Sequence, residues 1–138
     1  MTISLGGGTD TGQGGPGPRI LLISPDLMAA SRLDGLVRDC GGRLATVRSL
    51  EAALPEGSHD LLLLDLQAGG DPAALVAACR GLVQAQRAGA GPAARVVAFG
   101  PHVAKDRLEQ ATAAGADAAV SRGELLGDFR SLVSRWCG

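Results

Sequence analysis

No tyrosine occurs in the chain, and its only aromatic side chains are Phe99, Phe129 and Trp136. The ring platforms on which single-stranded nucleic acid stacks its bases are therefore not expected. An excess of one charge sign is missing too: 13 Lys and Arg against 14 Asp and Glu leave a net charge of −1. That balance suggests neither a phosphate-binding track for nucleic acid nor an anionic membrane surface as partner. Cysteine is scarce and odd in number. Cys40, Cys79 and Cys137 lie far apart, with no C-x-x-C pair and no zinc spacing to His59 or His102. They read as free thiols in a reducing compartment, which points to the cytoplasm. No basic region followed by an apolar core opens the chain, so no signal peptide is expected. No apolar run approaches the ~20 residues that span a bilayer. Two histidines and no Ser/His/Asp spacing provide no catalytic set, and an enzyme is not expected.

Glycine, by contrast, is abundant at 21 residues, and many of these crowd into residues 1–18, MTISLGGGTDTGQGGPGP. A phosphate-binding loop would need Gly-x-x-x-x-Gly-Lys-Ser/Thr between a strand and a helix, and no lysine is present. The segment reads as a flexible tail. Residues 19–138 then form one domain, at a length that buries a real core.

Within that domain apolar runs alternate with helical patterns. Residues 20–23 (Ile-Leu-Leu-Ile) form a first buried strand. Ser24-Pro25-Asp26 follows, reading as an N-cap serine, a first-position proline and a first-turn acid. The helix it starts carries Leu27, Met28, Leu33, Leu36, Val37 and Cys40 on one face and stops at Gly41-Gly42. A second strand spans residues 43–47, and Ser49 caps a short helix over 50–54. The third strand ends at Asp65. Asp71-Pro72 starts a long helix marked by Leu75, Val76, Cys79, Leu82, Val83 and Gln86, followed by a glycine-rich loop at 88–92. Residues 95–99 make a fourth strand, 103–114 a helix, and 116–120 a short fifth strand. Leu125, Phe129, Leu132, Val133 and Trp136 set one apolar stripe on a last helix.

Strict alternation of five strands and five helices predicts an α/β fold of three layers. Its sheet is five-stranded, parallel and doubly wound, in the flavodoxin-like order 2-1-3-4-5. The organising stretch is Leu61-Leu62-Leu63-Leu64-Asp65-Leu66-Gln67. Its continuous leucines suit a strand buried on both faces. Asp65 then falls at the carboxyl end of the sheet, where such folds place their ligands, with Ser24-Pro25-Asp26 beside it at the topological switch.

The opening RILLISPD, the junction LLLLDL, the strand VVAFG and the segment AAGADAAVSR, in that order and spacing, resemble the response-regulator receiver domain, the CheY-like family. The likeness covers about residues 19–138. It implies a phosphoacceptor position at Asp65, flanked by Ser24, Asp26, Gly100 and Arg122. Several of these depart from the family pattern. The acidic pair that holds magnesium falls on Ser24-Pro25, with Asp26 one step later. The hydroxyl residue after the fourth strand is Gly100, and the lysine after the fifth is Arg122. The aromatic switch position is Ala119. A lone carboxylate beside an arginine is a poor magnesium site, since the ion prefers octahedral oxygen and more than one carboxylate or phosphate. No metal or cofactor is expected: Asp26 and Asp65 are weak candidate ligands, and magnesium is possible only if Asp65 is phosphorylated.

The resemblance therefore implies a degenerate receiver, a pseudo-receiver. As a stand-alone signal-transduction module it would act by protein–protein contact, through the surface of the helix over 103–114, the fifth strand and the last helix. Its partner would be a histidine kinase or a signalling effector. One alternative is a phosphorelay receiver phosphorylated on Asp65, with Asp26 and Arg122 as unusual site residues. Another is a small-molecule-binding flavodoxin-like domain or enzyme. A flavin would want a hydroxyl- and glycine-rich loop after the first strand and stacking rings, and a cobalamin site would want Asp-x-His-x-x-Gly; neither is present. His102 reads as a solvated loop residue.

Overall fold

The structure, a computed structural model, describes residues 17–52, 58–86 and 94–137. Five parallel strands, β1 (Arg19–Ile23), β2 (Arg43–Val47), β3 (Leu61–Asp65), β4 (Arg95–Gly100) and β5 (Ala118–Ser121), form one sheet in the order β2-β1-β3-β4-β5. Around it lie α1 (Leu27–Asp39), α2 (Pro72–Gln86), α3 (Lys105–Ala113), α4 (Arg122–Gly127) and α5 (Phe129–Cys137), with a 3-10 turn at Leu66–Ala68. This is the doubly wound fold and strand order that the alternating pattern predicts.

The four leucines show why β3 is central. Successive strand side chains point to opposite faces. Leu61 and Leu63 join Ile20, Leu22, Val97 and Phe99 in the core shared with α1, α4 and α5. Leu62 and Leu64 join Leu21, Ile23, Val96 and Ala98 in the core shared with α2 and α3. All four leucines are fully buried, each contributing about 2 kcal/mol by the area it removes from water. The register pairs Leu64 with Ile23 on one side and Ala98 on the other, and Asp65 with Phe99. A polar carboxylate is thereby carried to the edge of both cores at once.

Helix termini account for several glycines and arginines. At the end of α1 the Gly42 N–H donates to Val37 O and the Gly41 N–H to Arg38 O, with Gly41 at φ 78°. That left-handed residue closes a Schellman cap, which a side chain would strain. Arg130 donates to Asp39 O and Arg95 to Trp136 O, satisfying carbonyls at the ends of α1 and α5.

Several boundaries differ from expectation. Asp26, not Ser24, caps α1, accepting the N–H groups of Met28 and Ala29 at 2.9 and 3.2 Å. The residue after Pro25 is the first with both a free carboxylate and the extended backbone that a cap requires. Leu27 and Met28 are exposed instead of joining the buried face of α1, which consists of Ala29, Leu33 and Val37. Of the short helix predicted over 50–54, the described part forms a turn at Leu50 and Glu51, where the Ser49 hydroxyl accepts the Glu51 N–H; residues 53 and 54 lie outside the described residues. The helix expected over 103–114 begins at Lys105, and the fifth strand lies over Ala118–Ser121. The last helix is broken into α4 and α5 at Asp128, whose backbone leaves helical geometry at φ −131° and ψ 33°. Its apolar stripe is nevertheless buried throughout, since α4 and α5 turn the same side to the sheet. The loop at 88–92 lies outside the described residues. So do residues 1–16 of the expected tail, whereas the Pro18 carbonyl accepts the Arg43 N–H at 2.9 Å. Among the described residues no helix is long and apolar enough to cross a membrane.

Candidate functional site

Three chain segments meet at the carboxyl end of the sheet. The first follows β1 and carries Ser24 and Asp26. The second ends β3 with Asp65 and continues to Gln67. The third follows β5 and opens α4 with Arg122.

Asp65 is 0% exposed. Burying a carboxylate is costly unless hydrogen bonds satisfy its oxygens, and this one has three donors. Its Oδ1 accepts the Gln67 backbone N–H at 2.9 Å, making Asp65 the cap of the 3-10 turn. Its Oδ2 accepts the Ser24 hydroxyl at 2.7 Å and lies 3.5 Å from a terminal nitrogen of Arg122. The Ser24 oxygen in turn accepts the Asp26 N–H at 3.1 Å. Ser24 therefore acts as a buried link between two segments, where the sequence reading made it a helix cap.

Arg122 draws the segments together. One terminal nitrogen donates to Asp26 Oδ2 at 3.0 Å. The other donates to Gln67 Oε1 at 2.8 Å and faces Asp65. Its Nε is buried without a hydrogen-bond partner. The residue stands at the first position of α4, capped by the Ser121 hydroxyl on the Glu124 N–H. A cation at a helix N-terminus opposes the backbone dipole, so the carboxylates hold it there. The N–H groups of Ala29 and Met28 and the nearby charge of Arg122 hold the Asp26 carboxyl below the usual value of 3.8, against the opposing effect of burial.

The predicted residues fall into two sets. Asp65, Asp26, Ser24 and Arg122 converge. Gly100 is buried at the end of β4, paired with Ser121, and a Cβ added there would meet only Leu66 Cβ at 3.7 Å; it brings no polar group to the cluster. His102 is exposed. Two contributors were missed. Gln67 is one, two residues past Asp65 and polar where an apolar run ends. Arg107 is the other: from α3 its guanidinium donates to Leu66 O at 2.8 Å and Gly70 O at 3.1 Å, tying the loop after β3 to that helix. The loop needs Gly69 and Gly70, both at φ 91°, a region closed to most side chains.

Magnesium, which the fold suggests, does not fit these residues. Asp26 Oδ1 accepts two N–H groups and Oδ2 faces Arg122. Asp65 Oδ1 accepts one N–H, and Oδ2 faces Ser24 and Arg122. A divalent ion between the carboxylates would meet a guanidinium already there. Among the described residues no group of three or more His, Cys, Asp or Glu side chains is placed to hold a metal.

No family model and no curated protein matches the chain. Its fold does match solved receiver domains. A two-component response regulator from Clostridium difficile superposes with a TM-score of 0.70 at 18% identity, over 86% of this chain and 93% of that one. The receiver domain of a sensor histidine kinase from Pseudomonas aeruginosa, solved with magnesium in its active-site cleft, gives 0.65 at 18% identity over 88% and 98%. A receiver domain from Saccharomyces cerevisiae, crystallised with its histidine phosphotransfer protein, gives 0.67 at 12% over 91% and 92%. The chain has the CheY-like receiver fold.

Proposed function

We propose that the chain is a signal-transduction module of receiver type that works by docking to a protein partner, not by magnesium-dependent phosphorylation of Asp65. The observation that carries this reading is the burial of Asp65: the carboxylate is 0% exposed, and the Ser24 hydroxyl, the Gln67 N–H and Arg122 face its oxygens. An in-line attack on a phosphodonor needs an accessible oxygen, and it needs cationic help for the charge on the transferring group. Here the nearby cation is spent on holding two carboxylates.

The yeast relative was crystallised with a histidine phosphotransfer protein, which supports a protein partner of the kinase or phosphotransfer class. The site contributes rigidity: it joins the loops after β1, β3 and β5 into one fixed surface.

A titration with beryllofluoride and magnesium, read by amide chemical shifts, tests the reading. No change is expected in the wild-type chain or in Asp65→Asn. A magnesium-dependent response in the wild type that Asp65→Asn abolishes would instead establish a phosphorelay receiver with Asp26 and Arg122 as its unusual residues.

A further inference from the structure

We propose that Arg122 is the resident cation of this site, and that its guanidinium is what keeps a divalent ion out. The inference rests on the reading of a site that does not work through magnesium, and it adds the physical cause.

Three oxygens from three different positions converge on one guanidinium: Asp26 Oδ2 at 3.0 Å, Gln67 Oε1 at 2.8 Å and Asp65 Oδ2 at 3.5 Å. Two are carboxylate oxygens and one is an amide carbonyl, the hard oxygen donors that magnesium and manganese take, with water completing the shell. The planar fork of arginine serves two of these acceptors through one nitrogen and the third through the other, a geometry that a lysine ammonium does not reproduce. The buried, unpartnered Nε shows the same thing from the other side. The side chain gives up one hydrogen bond to keep its terminal nitrogens between the carboxylates.

Charge points the same way. Asp26 and Asp65 bring two negative charges, and Arg122 cancels one. With an uncharged residue at 122 the pair would face itself across the site, with Gln67 Oε1 freed beside it. A divalent cation would then relieve the repulsion that the guanidinium now relieves. The site is thus a latent divalent-ion site with Gln67 as a ligand, closed by the chain's own arginine.

The test is manganese uptake by the full chain, read from the electron paramagnetic resonance signal of free Mn²⁺. The wild type is expected to show no saturable site. Arg122→Met, which keeps the apolar stem, and Arg122→Ala are each expected to gain one, at least about tenfold tighter than any wild-type binding. Adding Asp65→Asn to Arg122→Met is expected to abolish it. If both variants keep a cooperative melt and neither gains a site, this proposal falls while the docking reading stands. Saturable uptake by the wild type that broadens the Asp65 and Gln67 amide signals overturns both, and it needs no variant to fold. Phosphoryl labelling of wild-type Asp65 without metal uptake overturns the docking reading alone.

Discussion

The Ser24 hydroxyl donates to Asp65 Oδ2 at 2.7 Å, and both residues are buried. A hydrogen bond to a charged acceptor inside a protein is stronger than a neutral one. The same serine oxygen accepts the Asp26 N–H, so its loss strips a donor from Asp65 and an acceptor from the turn before α1. Ser24→Ala is expected to lower stability by about 2 kcal/mol. In urea denaturation the midpoint should fall with the slope unchanged, because the surface exposed on unfolding is the same.

Asp26 has two roles that substitution can separate. Its Oδ1 caps α1 and its Oδ2 holds Arg122. Asparagine caps as well as aspartate but carries no charge. Asp26→Asn should therefore cost less than Asp26→Ala at neutral pH. The acid behaviour has a definite sign. The N–H groups of Ala29 and Met28 and the charge of Arg122 lower the folded-state pKa below the ordinary 3.8. The folded chain then keeps the carboxylate ionised where the unfolded chain has already taken up a proton. The resulting stability is fully present above 3.8 and is lost as pH falls through the folded value. Denaturation midpoints measured from neutral pH down to about pH 2.5 should drop less steeply in Asp26→Asn than in the wild type.

The fold was legible because its signals are periodic and short-ranged. Four leucines running into Asp65 suit only a strand buried on both faces, and alternation with helical stripes leaves few other topologies. The site was legible in part. Position along the sheet brings Asp65, Asp26, Ser24 and Arg122 together, but not what each side chain bonds. Ser24 followed by proline reads as a cap from local pattern alone; its burial against Asp65, 41 residues away, is a tertiary fact. Arg107 carries no local signal, because its partners are the backbone carbonyls of Leu66 and Gly70, and a carbonyl is the same at every residue. The break at Asp128 was hidden because the apolar stripe keeps its spacing across it.

Arg107 is expected to matter for the loop more than for the whole domain. Its two carbonyl contacts fasten a loop whose glycines at 69 and 70 otherwise leave it free to open. Arg107→Ala should speed amide hydrogen exchange across residues 66–70 by about fivefold, corresponding to about 1 kcal/mol of local stability. Exchange in β1 and β4 should stay as slow as in the wild type. Uniform acceleration over the whole sheet would show that the contact supports the domain globally.

Cys79 sets a limit on stability in alkali. Its side chain is fully buried against the β3–β4 side of the sheet, and burial raises the thiol from 9.0 to about 11 despite the nearby charge of Arg80. Between those values the folded chain holds a proton that the unfolded chain has released. Unfolding is therefore favoured progressively as pH rises from 9.0 towards 11, and below 9.0 the thiol contributes no pH dependence. The full loss is about 2–3 kcal/mol at the usual energy per pKa unit. Cys79→Ala should be less stable at neutral pH, because it leaves a small cavity. Its stability should nevertheless fall less steeply with pH across the alkaline range. Parallel slopes in variant and wild type would mean that Cys79 ionises as readily folded as unfolded, which its burial between α2 and the sheet argues against.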